Sequence, residues 1–290
     1  MQFLNPKIDY AFKKIFGSAA STAPLLSLLN AVLGTTGDER IAQVEVRDPY
    51  LAPRILGIKD TYVDVRATDE RGRSFIIEMQ VLHSVAMEKR VLYNACKAYA
   101  GQLTTGQPYH LLTEVIAITF TDFVLFPQWP ELQLNFQLRS DQGRLFSDDL
   151  QLVFVELPKF AKREADLATM LDKWLYFLRY ANELTEVPAA LAQDPGLAQA
   201  FALANRAGLT KEEDDALDLH EKYVYDITHL EEFAEGRGER RGLQQGLQQG
   251  LQQGLEQGRV DGVGEGLRIA LERLVASGMT EDEARRVLGV

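Results

Sequence analysis

The chain has one cysteine, Cys96, in 290 residues, which excludes an internal disulfide framework and a cysteine-rich zinc site. Cys96 sits in LYNACKAYA with no histidine nearby in sequence and reads as a small buried side chain, not a nucleophile. No run approaches the ~18–20 apolar residues of a membrane span. The opening MQFLNPKIDY also lacks the basic-then-apolar pattern of a secretion signal, so a cytoplasmic chain with no membrane partner is expected. Excess positive charge is missing too. The formal net charge is −11, whereas a nucleic-acid partner ordinarily calls for a basic face. The deficit is local: between Thr210 and Glu235 ten acids stand against Lys211 and Lys222, and the rest of the chain is nearly balanced.

What is present is ordinary for a globular protein, with 46% hydrophobic and 25% charged residues and a length that suits about two domains. The most informative stretch is YVDVRATDERGRSFIIEMQV, Tyr62 to Val81. Val63, Val65 and Ala67 alternate with Tyr62, Asp64 and Arg66, and Phe75, Ile77 and Met79 alternate with Ile76, Glu78 and Gln80, the period of two β-strands. A three-residue loop Glu70-Arg71-Gly72 puts glycine where a type I turn with a bulge needs positive φ. With Asp69 paired to Arg73, Asp64 falls opposite Glu78. Like charges directly opposed on one sheet face repel. A divalent cation would offset this, because Mg²⁺ takes carboxylate oxygens and keeps waters that a phosphate can displace. Gln80 projects to the same face. The competing reading is two exposed acids on separate strands, which a two-residue turn and shifted register would part.

Around this hairpin the periodicity predicts further elements. Asn5 as N-cap, Pro6 at the first helical position and Gly17 as terminus frame a helix carrying Asp9, Phe12, Lys13 and Phe16 on one face. Asp9 and Lys13 form an i,i+4 surface pair or face a metal or phosphate. A leucine-rich helix starts near Pro24 and ends at Gly34, and Gln43–Arg47 reads as a short strand before the irregular DPYLAPR. Val85 to Gly106 reads as a helix whose turns carry Lys89, Arg90, Tyr93 and Lys97, either a solvated charged face or phosphate ligands. His83, just before it, is a weak general-base candidate. Glu114–Phe120, Leu132–Leu138 and Leu150–Leu157 read as strands, and the element order implies an α/β domain with a mixed sheet. Beyond Arg163 the pattern turns helical, with Leu167, Met170, Leu171, Trp174, Leu175 and Leu178 as a packing stripe.

The motif IIEMQ, preceded by NPKIDYAFKKIFG and followed by KRVLYNACKAYAGQLTTGQPYHLLTEVIAITF, resembles the recombination-promoting nuclease family, also described as PD-(D/E)XK nuclease family transposases. The resemblance runs from Asn5 to about Phe126 and more loosely to the tail. It implies a restriction-endonuclease-like core, a mixed β-sheet flanked by helices, followed by a helical C-terminal region. It also implies that Asp64 and Glu78 bind Mg²⁺, or another divalent cation such as Mn²⁺ or Ca²⁺, with the backbone carbonyl of Met79. Gln80 stands where related nucleases carry lysine; an amide can orient a water but cannot take its proton. Asp9 matches an acidic residue of the first helix, and Arg90 matches an arginine on the helix after the hairpin. The implied activity is metal-dependent DNA cleavage that promotes recombination or transposition-like events. A DNA-binding scaffold without turnover and an RNA-directed nuclease are the alternatives.

Glycine recurs every four residues from Gly238 to Gly266, in GLQQ units. Each interior glycine costs ~0.8–1 kcal/mol of helix stability, so an isolated helix is not expected to hold, and the segment reads as a self-association stripe forming a homo-oligomer or as a flexible linker. Leu267 onward, with Gly278 and the capping box Thr280-x-x-Glu283, reads as a small helical hairpin. The expected segmentation is a nuclease-like domain over 1–160, a helical extension over 161–235, the repeat segment over 236–266 and the hairpin over 267–290.

Overall fold

The computed structural model describes residues 2–51 and 61–290. The chain divides into two compact units, Met1–Lys222 and Tyr223–Val290.

The first unit opens with α1 (Asp9–Phe16) and α2 (Thr22–Leu33). α1 begins later than Asn5 and Pro6 suggested, because Asn5 caps a preceding turn: its Oδ1 accepts from the backbone N–H of Lys7 at 3.1 Å. Three strands follow, β1 (Val44–Arg47), β2 (Tyr50–Leu51) and β3 (Thr61–Tyr62); residues 52–54 of the irregular stretch lie outside the described residues. Then come β4 (Val65–Asp69), β5 (Ser74–Gln80), α3 (Met87–Ala100), β6 (Val115–Thr121), β7 (Gln133–Arg139) and β8 (Leu145–Glu156). α4 (Met170–Tyr180), α5 (Ala189–Ala192) and α6 (Pro195–Leu203) complete the packed part of the unit, and α7 (Lys211–Ala276) begins in it.

Six strands make one mixed sheet in the order β1-β4-β5-β6-β8-β7, with β5, β6 and β8 parallel and the remaining pairs antiparallel. The β4–β5 register pairs Val65 with Ile77 and Thr68 with Ser74, the alignment expected from the Glu70-Arg71-Gly72 loop. Gly72 has φ of +79° and donates its N–H to Asp69 O at 3.0 Å, so the turn pins the register. The first arm of the hairpin is nevertheless not one strand. It breaks at Val63 and Asp64, and Thr61–Tyr62 pairs instead with Tyr50–Leu51 in a separate two-stranded sheet.

β5 and β6 are buried on both faces, as expected of central parallel strands. One face, with Phe75, Ile77, Met79, Ile116, Ile118 and Phe120, packs on α1, α2, α4 and α6. The other, with Ile76, Val115 and Ala117, packs on Met87, Val91, Ala95 and Ala98 of α3. That helix ends earlier than position 106 because Gly101 caps it, donating its N–H to Lys97 O at 2.9 Å. Cys96 is exposed, since it lies between the buried positions of α3 and points away from the sheet.

α4 and α6 share the core of α1 and α2. Phe16 and Trp174 are 5.7 Å apart between ring centroids, Trp174 and Phe177 5.7 Å, and Phe177 and Phe201 4.8 Å. Gly196 lets α6 approach α2 closely, for an added Cβ would lie 2.6 Å from Ser27 Cβ. A boundary at residue 160 therefore does not separate two cores: the stripe on α4 buries against the first helix of the chain.

The second unit holds most of α7 and α8 (Glu281–Leu288). The glycine repeats lie within α7, contrary to the expectation that an isolated helix would not hold; leucine, glutamine and glutamate, all good helix formers, oppose the glycine cost. Gly278, at φ +104°, breaks the chain before α8, whose capping box joins Thr280 and Glu283. Among the described residues no single helix is long and apolar enough to cross a membrane.

Candidate active site

The parallel β5-α3-β6 crossover places the C-terminal end of β5 beside the first turns of α3. Glu78, Gln80 and the α3 residues Lys89, Arg90, Tyr93 and Asn94 line one cavity there, about 650 Å³ in volume, together with Asp64 and Tyr62 from the broken arm of the hairpin. Two residues 14 apart in sequence, Asp64 and Glu78, are thus brought to the same hollow.

Asp64 is partly buried at the bend that interrupts the arm. Its Oδ2 accepts the backbone N–H of Met79 at 2.8 Å, which replaces the ladder bond lost where the strand breaks. Met79 thereby contributes its N–H to the site's geometry, a role the sequence did not suggest. Burial pushes the Asp64 carboxyl up to about 7, against the Met79 N–H, which lowers it; Glu78 and Asp9 raise it further and Lys13 opposes them.

Glu78 is 4% exposed. Its Oε1 accepts from Asn94 Nδ2 at 3.1 Å, whereas Oε2 is buried with no hydrogen-bond partner. Burial raises the Glu78 carboxyl, with Arg90 and the Asn94 bond acting the other way. Asn94, 2% exposed, has its own unpartnered oxygen, Oδ1. With Glu78 ionised, Asn94 turns its N–H toward it, because a carboxylate cannot accept from a carbonyl oxygen.

Gln80 Oε1 accepts from the Arg90 guanidinium, so the residue in the lysine position is tied to the arginine expected to meet phosphate. Asp9 and Lys13 do not line the cavity; they pair with each other at 2.7 Å on the half-exposed surface of α1. Their charges still reach Asp64. His83 is also away from the cavity, edge-on to Phe123 at 5.3 Å.

Asn94 escaped the sequence reading. Its signal was available: it sits in the stripe Met87, Val91, Ala95 and Ala98 as the one polar member, and a buried polar side chain needs a partner. Lys89 lines the cavity with no ionic or hydrogen-bond partner among the described residues. Ala86, the N-cap of α3, lines it with φ of +64°, a left-handed conformation that L-residues adopt at a cost of roughly 1–2 kcal/mol.

Among the described residues no group of three or more histidine, cysteine or acidic side chains gathers around one point. The donor set is the buried Glu78 carboxylate with its orphaned oxygen and the partly buried Asp64 carboxylate, beside an orphaned amide oxygen. It fits a hard divalent cation that keeps several waters or takes backbone oxygen, and buried unpaired carboxylates are costly without such a partner.

A mixed six-stranded sheet flanked by helices, with a helical C-terminal region, is the architecture of a restriction-endonuclease-like fold. The family model for PD-(D/E)XK nuclease family transposases matches residues 6–232, and the chain belongs to that family. PD-(D/E)XK nucleases generally use divalent metals, and the family suggests DNA as substrate. No curated protein and no solved structure matches the chain.

Proposed function

We propose that this protein is a divalent-metal-dependent DNA endonuclease of the cytoplasm whose cuts promote recombination or transposition-like events. The observation that carries the reading is the Glu78 carboxylate, buried with one oxygen unpartnered in the cavity that Asp64 also lines. Asp64 and Glu78 would hold Mg²⁺, or Mn²⁺ in its place, with the Met79 carbonyl. When bound, the ion polarises a scissile phosphate and lowers the pKa of a coordinated water.

The chain's own residues do the rest. Asn94 holds Glu78 by its Oε1 and leaves Oε2 free. Lys89, without a partner in the cavity wall, takes a phosphate oxygen, and Arg90 takes another through the donors that Gln80 leaves unused. Hydrolysis adds water to phosphorus and breaks one P–O ester bond, the leaving oxygen ending protonated. Gln80 orients the water without accepting its proton. The glycine-repeat helix is the element through which two copies pair, and light scattering on the full chain reads one copy or two.

Supercoiled plasmid incubated with the protein and Mg²⁺ or Mn²⁺ should be nicked and linearised. Chelator, Asp64→Ala and Glu78→Ala should each abolish this while circular dichroism stays unchanged. Cleavage persisting in either variant would remove the assignment. Plasmid binding without cleavage under any metal would favour a DNA-binding scaffold.

A further inference from the structure

The mouth of the cavity carries two tyrosines that the metal chemistry does not use. Tyr62 is 72% exposed, although a ring of its size at the end of a strand ordinarily packs against something. One side of it is braced by Tyr50, with ring centroids 4.9 Å apart and planes tilted by 30°. Tyr93 rises from α3 on the other wall, 39% exposed. Lys97 links the two walls: its Nζ lies 6.0 Å from the Tyr93 ring centroid and 3.4 Å from Thr61 Oγ1, next to Tyr62 in the chain. Both exposed rings thus line the cavity that also holds Asp64 and the almost wholly buried Glu78.

A phosphate that meets an ion held at Glu78 enters the cavity that Tyr62 and Tyr93 also line. At about 650 Å³ the space matches the ~300–1,000 Å³ of small-molecule clefts. It has room for one nucleotide and its backbone. Proteins that bind bases out of the stack place them against aromatic rings, and two rings stand at this entrance.

We propose that the site takes a nucleotide whose base is unpaired, stacked on Tyr62 and Tyr93, so that the substrate is DNA with a bulge, mismatch or other locally unstacked position. This rests on the nuclease reading for its choice of DNA, and it names the form of the DNA. Tyr62 and Tyr93 are binding residues, selecting substrate by shape.

The test uses the full chain with Ca²⁺ in place of Mg²⁺ and two fluorescein-labelled 20-base-pair duplexes, one fully paired and one with a single unpaired 2-aminopurine. Anisotropy should show the bulged duplex binding about tenfold more tightly, within the range that one base–aromatic stack supplies, and 2-aminopurine fluorescence should be quenched on binding. Tyr62→Ala with Tyr93→Ala should erase the preference with thermal stability unchanged. Tyr62→Phe with Tyr93→Phe should keep it, since stacking needs the ring and not the hydroxyl. Equal affinity of the wild-type chain for both duplexes, or a preference that survives the double alanine variant, overturns the proposal. The two readings fail separately: a bulge preference without cleavage in Mg²⁺ or Mn²⁺ leaves the stacking site and removes the endonuclease, and cleavage without preference does the reverse.

Discussion

The backbone N–H of Met79 donates to Asp64 Oδ2 at 2.8 Å, so the first acid of the site is fixed by the strand that carries the second. No side-chain cation pairs with Asp64 among the described residues. The folded protein consequently favours a proton on Asp64, whose carboxyl stands at about 7, raised first of all by burial.

The sign of the pH effect follows. A carboxyl raised on folding binds more protons in the native than in the unfolded state, so stability declines as pH rises from the ordinary range near ~4 through about 7. Asp64→Asn keeps an oxygen for the Met79 N–H and removes the titration. The metal-free variant should melt higher than wild type at pH 8, by at least ~2–4 °C, the shift that 1 kcal/mol produces in a domain of this size. At pH 4 the gap should shrink. Equal melting points at pH 8 would show that the buried charge is not a liability.

Asn94 is the second point of control. Asn94→Ala leaves both Glu78 oxygens without a side-chain donor and opens space under α3, a loss of roughly 1–3 kcal/mol, to be read from urea denaturation. It should also lower plasmid cleavage, since Glu78 loses the donor that orients it. Asn94→Asp should be more damaging to the metal-free fold, because it sets a second carboxylate against Glu78.

Which of these features were legible in the sequence follows from how local their causes are. The hairpin register was, because Gly72 and the alternation on both arms specify it within a dozen residues. The bend at Asp64 was not, since it depends on an N–H from the opposite strand. The pairing of Asp9 with Lys13 could be read from their spacing alone. The tie between Gln80 and Arg90 could not, because it needs the β5-α3 crossover to bring a strand end against a helix turn. The stripe from Met170 to Leu178 announced a buried face without saying what it faces, and only folding shows Trp174 against Phe16.

The start of α7 is tied to α1 through Glu213. Tyr10 Oη donates to Glu213 Oε1 at 2.5 Å and the Thr210 N–H to Oε2 at 2.8 Å, with Lys14 Nζ at 3.5 Å. The Tyr10 bond first, and then the backbone and the lysine, hold the Glu213 carboxyl at about 2. A carboxyl lowered on folding stabilises above its ordinary range and loses that stabilisation as pH falls toward about 2. Wild type should therefore lose more stability than Glu213→Gln between pH 5 and pH 3 in urea titrations. Parallel losses would show the tie contributes nothing.

The repeat helix gives a prediction of opposite sign to most substitutions. A Cβ added at Gly246, Gly250, Gly254 or Gly258 would meet nothing within 4 Å. Each alanine there should favour the helix by ~0.8–1 kcal/mol, and the fourfold variant should show higher helicity at elevated temperature by circular dichroism. If two copies meet along these glycines, the same variant should dissociate in light scattering, because the added methyl groups hold the backbones apart.

Those unobstructed glycines also bear on how the chain can change over generations. A block of four residues added or lost there lengthens or shortens a rod by ~6 Å and leaves every side chain around Glu78 where it was. Copying errors in a repetitive coding stretch can therefore change the length of α7 in even steps, while a comparable insertion in the hairpin would part Asp64 and Glu78 along the ladder.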